Sequence, residues 1–129
     1  MKKKILLIDD DKDLVRSFQV FLENKGFEVI TSADGTEGFS KLKNEKPDLL
    51  VLDVMMRSNL EGYNLLHQIK KQPEYMNFPI ILLTGMVDTL GVNLYSGVED
   101  ETLFKNVQYQ DKPIDPLALV ELIEKMLTA

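Results

Sequence analysis

Hydrophobic and polar positions follow two rhythms along this chain. Short uninterrupted apolar runs, Ile5-Leu6-Leu7-Ile8, Leu49-Leu50-Val51-Leu52 and Ile80-Ile81-Leu82-Leu83, each end in a polar residue. A strand apolar on both faces belongs inside a parallel sheet covered by helices on either side. Between the runs, apolar residues recur three and four apart, as on one face of a helix. The pattern predicts strands over 4–9, 27–30, 48–53, 79–84 and 106–110, with Pro79 tolerated at the first position of the fourth. Leu14, Val15, Phe18, Phe21 and Leu22 mark the first helix, which Gly26 stops in the position favoured for a C-terminal cap. A second helix covers about 36–44, with Asp34 or Thr36 as its start signal and Pro47 closing the connection. Tyr63, Leu66 and Ile69 mark a third that ends before Pro73. The stretch 85–105, with Gly91 and Gly97 and no clean period, reads as one irregular or broken helix. Asp115-Pro116, a cap followed by proline, opens a last helix whose core stripe is Leu119, Ile123 and Met126.

These are five alternating β–α units without linker, repeat or low-complexity tract. They predict an α/β fold: a doubly wound five-stranded parallel sheet with right-handed crossovers and helices on both faces. A length of 129 residues fits a single domain over 1–129, and 44% hydrophobic with 28% charged residues is globular rather than disordered. The chain stops at the end of its last helix, which fits a stand-alone regulator.

Composition removes several chemistries. A net charge of −6 argues against direct nucleic-acid or anionic-membrane binding. With no cysteine and a single histidine, His67, there are no disulfides, thiolate sites or multi-histidine metal centres. No apolar stretch approaches a membrane span, and the run after Met1-Lys2-Lys3-Lys4 is too short for a signal peptide, so a cytoplasmic location is expected.

What remains is at the strand ends. Asp9 and Asp10 follow the first strand, Asp53 ends the third, Thr84 ends the fourth, and Lys112-Pro113 follows the fifth. Parallel strands share one C-terminal edge, where open α/β folds place their ligand sites. Carboxylate oxygens suit a hard cation such as Mg2+, which takes only a few protein oxygens and fills its shell with water or phosphate oxygens. A lysine and a hydroxyl beside them would bind an oxyanion. Together these groups make a phosphoryl-transfer site, where charge stabilisation and positioning do most of the catalysis. Asp11 reads as a helix cap, His67 as a solvated or capping residue, and Lys2-Lys3-Lys4 as a solvated lead-in.

Ile8-Asp9-Asp10-Asp11, Leu52-Asp53-Val54-Met55-Met56, Leu83-Thr84-Gly85 and Asp111-Lys112-Pro113 resemble the receiver domain of two-component response regulators, of the chemotaxis-regulator type. The resemblance spans nearly the whole chain and implies a flavodoxin-like strand order, 2-1-3-4-5. It implies that Asp53 accepts a phosphoryl group from a partner sensor histidine kinase or phosphotransfer protein. Asp9, Asp10 and Asp53 would hold Mg2+ with the backbone carbonyl of Met55. Lys112 would pair with the phosphoryl group, Thr84 would move to hydrogen-bond it, and Tyr109 would be the aromatic switch. The output would pass through the fourth helix, fifth strand and fifth helix to a downstream effector protein, and a homodimer is compatible with this. Such a domain is not an enzyme beyond self-catalysed phosphoryl acceptance and slow autodephosphorylation.

The chain departs from the family's Asp-x-x-Met-Pro-x-Met-Asp-Gly, carrying Arg57 in place of the proline and Gly62 one residue late. The stretch between Thr84 and Lys112 is longer than usual and lacks Gly-Ala before the fifth strand. Met55 and Met86 stand two residues after Asp53 and Thr84, where polar side chains would orient a hydrolytic water, so slow self-dephosphorylation is expected. Ordinary core filling is the alternative for these methionines. Two rival functions are a non-phosphorylated pseudo-receiver interaction module and a phosphatase of the haloacid-dehalogenase type using Asp9-Asp10-Asp11. The intact set of polar strand ends argues against the first. The second leaves Asp53 unexplained and lacks a later acidic pair. A flavin-binding relative is disfavoured, because the first loop is acidic where a phosphate cradle needs amides and hydroxyls.

Overall fold

Side chains along each apolar run alternate between two faces, and the fold follows from burying both. The computed structural model describes residues 2–53, 61–84, 106–111 and 114–128, the side chains of Tyr63, Thr84 and Asp111 excepted. The elements are β1 (Lys4–Ile8), α1 (Lys12–Asn24), β2 (Glu28–Ser32), α2 (Gly35–Glu45), β3 (Leu49–Asp53), α3 (Glu61–Lys70), a 3-10 turn (Pro73–Tyr75), β4 (Ile80–Thr84), β5 (Val107–Asp111) and a C-terminal helix (Pro116–Thr128). The strands pair in the order β2-β1-β3-β4-β5, every pair parallel, which is the predicted doubly wound sheet. Leu6, Ile8, Leu50, Leu52, Ile80 and Leu82 face one core with Leu42 of α2 and Leu65, Leu66 and Ile69 of α3. Ile5, Leu7, Leu49, Val51, Ile81 and Leu83 face the other, with Phe18 and Leu22 of α1 and Leu119, Val120 and Ile123 of the C-terminal helix. The irregular helix expected over 85–105 lies outside the described residues, as do Met55, Arg57, Met86 and Lys112.

Local signals set the element ends. Asp11 caps α1, its carboxylate accepting the Leu14 N–H at 3.1 Å. Gly26, at φ 96°, ends that helix, with Gly26 N–H donating to the Glu23 carbonyl and Phe27 N–H to the Leu22 carbonyl. Phe27 is therefore spent on the cap, and β2 begins one residue later than the pattern predicts. It also runs two residues further, because Thr31 and Ser32 pair with Leu7 and Ile8 although they are polar. Asp34 rather than Thr36 caps α2, accepting the Glu37 N–H at 2.8 Å. Asp115 accepts the Leu117 N–H at 3.1 Å, with Pro116 in the first helical position. Gly38 lets α2 lie against β1: a Cβ there would come within 3.0 Å of Ile8 Cγ1 and closer still to Cδ1.

The connection from α3 to β4 is held by a residue that the periodicity places on a helix end without hinting at burial. Lys70 is only 5% exposed, and its ammonium donates to the carbonyls of Tyr75, Met76 and Phe78 at 3.2, 3.1 and 2.8 Å. Tyr75 and Phe78 meet edge to face beside it, with ring centroids 5.7 Å apart. Burial lowers the Lys70 pKa to about 8 from 10.5. The unfolded chain therefore holds a proton between about pH 8 and 10.5 that the folded protein has released, so stability rises with pH across that window. We predict that urea unfolding at pH 7.5 and 9.5 will show this gain in the native protein and not in Lys70→Met. Identical pH dependences in the two proteins would contradict it.

Candidate functional site

Parallel pairing sets Ile8 opposite Leu52, so the next residues, Asp9 and Asp53, leave β1 and β3 side by side. Asp9 continues the ladder to β2 through its N–H, which donates to the Ser32 carbonyl at 3.1 Å. Asp9 and Asp53 are nearly sealed, at 2% and 3% exposure, whereas Asp10 is open to solvent. One carboxylate oxygen from each of the three lies within 4.8 Å of the others. Asp9 Oδ1 also accepts the Asp11 N–H at 3.0 Å, which fixes the turn leading into α1. The result is an acidic cup with two walls built into the sheet edge and one wall facing water.

Two ionised carboxylates about 5 Å apart at an effective dielectric of about 20 repel by roughly 3 kcal/mol. A cation between them reverses that sign. Mg2+ bonds oxygen at about 2.1 Å in an octahedron, so its ligand oxygens stand about 3 to 4.2 Å apart. Three hard oxygens already within 4.8 Å fit that shell after small side-chain rotations. Asp9, Asp10 and Asp53 are thus suited to hold Mg2+, and the requirement is met by donor type and spacing together.

The other predicted site residues occupy the same edge where they are described. Asp53 is paired with Leu83, which puts Thr84, the last residue of β4, next to the acidic cup. β5 ends at Asp111, opposite Thr84, and Lys112 follows it in sequence outside the described residues. Met55 likewise lies outside them. Tyr109 is paired with Leu82, partly buried and packed against the core shared by α2 and α3. His67 lies on α3 and is not a member of the acidic group, and its imidazole is held below its usual pKa by burial and then by Lys71.

One contact between helix starts escapes sequence reasoning. Glu61, the first residue of α3, accepts the Gly35 N–H on Oε1 at 3.0 Å, joining the start of α3 to the start of α2 across 26 positions. An acid in a first helical turn reads only as a complement to the helix dipole. Its distant partner carries no sequence signal.

Comparison with known proteins agrees with this geometry. The family model described as response regulator receiver domain matches residues 5–124. The chain is 39% identical over 120 residues to the alkaline phosphatase synthesis transcriptional regulatory protein PhoP of Bacillus subtilis (strain 168), covering 90% of this chain and 45% of that protein. It is 34% identical over 127 residues to the response regulator SaeR of Staphylococcus aureus (strain USA300), covering 96% and 50%. It therefore spans about half the length of the curated relatives it matches. The crystal structure of a CheY-like response regulator receiver domain protein from Methanospirillum hungatei JF-1 superposes with a TM-score of 0.77 at 29% identity, covering 99% of this chain and 95% of that one. Chemotaxis response regulator CheY4 of Vibrio cholerae, at 23% identity and a TM-score of 0.78 over 98% and 99%, shares the fold. Sequence, sheet order and acidic edge agree, and the chain belongs to the response regulator receiver domain family.

Proposed function

We propose that residues 1–129 act as one phosphorylation-controlled receiver domain in which Asp53 is the phosphoryl acceptor. The observation that carries this reading is the convergence of Asp9, Asp10 and Asp53 within 4.8 Å at the C-terminal edge of a parallel sheet. In the transfer, an Asp53 carboxylate oxygen forms a bond to phosphorus as the phosphohistidine P–N bond breaks. The electron pair leaves with the imidazole nitrogen. Asp9, Asp10, Asp53 and the Met55 carbonyl would hold Mg2+, which supplies charge neutralisation for the phosphoryl oxygens. Lys112 pairs with the same oxygens as a point charge, and its reach does not require an ordered acceptor geometry. Asp53 is only 3% exposed, which limits access to its carboxylate.

The new dianion then draws the Thr84 hydroxyl toward it, and Tyr109, two residues before the end of β5, turns into the space released. That movement would alter the face of β5 and the C-terminal helix, together with the helix expected from the sequence over 85–105, and this face would meet a downstream effector protein or a second copy of the chain. The partner upstream is a sensor histidine kinase or phosphotransfer protein, and the setting is cytoplasmic. Among the described residues no helix is long and apolar enough to cross a membrane, which is compatible with that setting.

Incubation with Mg2+ and acetyl phosphate should add one phosphoryl mass per chain, and Asp53→Asn should abolish it. No adduct would favour a pseudo-receiver. Continuous phosphate release that depends on Asp9 would favour a phosphatase instead.

As weak hydrogen-bond acceptors, the thioethers of Met55 and Met86 would orient a hydrolytic water poorly. The purified phosphoprotein in excess Mg2+ should therefore keep its phosphoryl group for minutes or longer, followed by intact mass. A half-life of seconds would contradict this assignment.

A further inference from the structure

β2 is the outer strand of the sheet on the side away from β5. Its Glu28 N–H donates to the Lys3 carbonyl at 2.9 Å, and its Ser32 carbonyl accepts the Asp9 N–H at 3.1 Å. Backbone groups of successive strand residues point to opposite edges, so Glu28, Ile30 and Ser32 are turned toward β1. Val29 and Thr31 are turned outward. An outward row of N–H and C=O groups is a template for another strand. Among the described residues, only the Thr31 carbonyl on this edge is met, by the Lys41 ammonium reaching it from α2 at 2.6 Å. Lys41 also pairs with Glu37 one turn earlier, at 3.0 Å.

A groove of about 440 Å3 opens beside this edge, between α1 and α2. Lys12 and Arg16 of α1 line one side, Thr31 its floor, and Glu37 and Lys41 of α2 the other. Asp9 borders it too but is only 2% exposed. Three cations thus face a single exposed carboxylate, and that one is already paired with Lys41. In a chain of net charge −6 this is a local reversal of sign.

We propose that the β2 edge and this groove form a docking site for an extended, acidic segment of a partner protein, which adds to the sheet as a short outer strand beside Val29–Thr31. Main-chain bonds to Val29 and Thr31 hold the segment, and one of its N–H groups replaces the Lys41 ammonium on the Thr31 carbonyl. The released ammonium, with Lys12 and Arg16, then meets carboxylates of the segment. Charge selects this occupant over a second copy of the chain, because two β2 edges paired about a two-fold axis would bring both sets of cations together. β2 and β5 lie at opposite ends of the strand order, so a partner here leaves the β5 edge open. The site stands apart from phosphoryl acceptance and does not depend on it.

The probe is a short capped peptide of alternating glutamate and valine, titrated into isotopically labelled protein and followed by amide chemical shifts. The amides of Val29 and Thr31 should shift and exchange more slowly, with accompanying shifts at Lys12, Arg16 and Lys41. Replacing Lys12 and Arg16 together by alanine should weaken binding about fivefold, the scale of two exposed ion pairs. A peptide N-methylated at the amides that would face β2 keeps its charge and should bind about tenfold more weakly. A peptide with lysine in place of glutamate should not bind. Unmoved Val29 and Thr31 amides at millimolar peptide would overturn the proposal. Equal binding of the N-methylated peptide would also overturn it, by assigning the contact to charge without strand pairing, and so would binding of the lysine peptide. Inorganic phosphate binding as tightly as the acidic peptide would identify a small-anion site in its place.

Discussion

The parallel pairing of β1 with β3 is the constraint on which the site depends. It fixes Ile8 against Leu52 and so delivers Asp9 and Asp53 to adjacent points of one edge, each almost fully buried. Nothing about two buried acids is favourable in isolation, because desolvation and mutual repulsion both oppose it. The sheet enforces their proximity. Every residue of β3 is buried, and Ile5, Leu6, Leu7 and Ile8 of β1 are sealed by helices on both sides. Neither strand can slip without exposing its apolar run. Stability of the two cores is thereby converted into electrostatic stress at the edge, and a cation is the natural means of relieving it.

Helix placement follows from the same requirement. Gly38 admits α2 to the surface of β1 at Ile8, the residue before Asp9, and Asp11 starts α1 two residues beyond Asp9. The N–H of Asp11 is held by Asp9 itself, so the acidic cup and the first turn of α1 are one unit. On the far side, Glu61 and Gly35 join the starts of α2 and α3. Lys70 secures the other end of α3 by gathering three carbonyls of the chain that leads into β4. Both ends of α3 are thus fixed by polar contacts while its middle is fixed by Leu65, Leu66 and Ile69.

Much of this was legible in the residues. Continuous apolar runs announced the strands because both faces of a covered parallel sheet are dry, and the polar residues that close those runs announced the site. Strand ends were less clear where polar residues pair in the ladder, as Thr31 and Ser32 do, since their hydrogen bonds are made by backbone and leave no trace in side-chain type. Asp34 and Thr36 were equivalent as start signals, and only the geometry of the Glu37 N–H selects Asp34. Lys70 and Glu61 were invisible in their roles for another reason: a charged residue at a helix end is ordinarily solvated, and their partners lie elsewhere in the chain or on backbone atoms. Asp9, Asp10, Asp53, Thr84 and Lys112 could be grouped from the strand ends alone, whereas the Met55 carbonyl rests on the family pattern.

The central claim is that Asp9, Asp10 and Asp53 form one divalent-cation site. Substoichiometric Mn2+ added to isotopically labelled protein tests it most directly, by paramagnetic broadening of backbone amide resonances. The account predicts that the amides of Asp9, Asp10, Asp11 and Asp53 broaden first and that excess Mg2+ restores them. Broadening spread over exposed acids such as Asp13 and Glu37, with Asp9 and Asp53 spared, would contradict it.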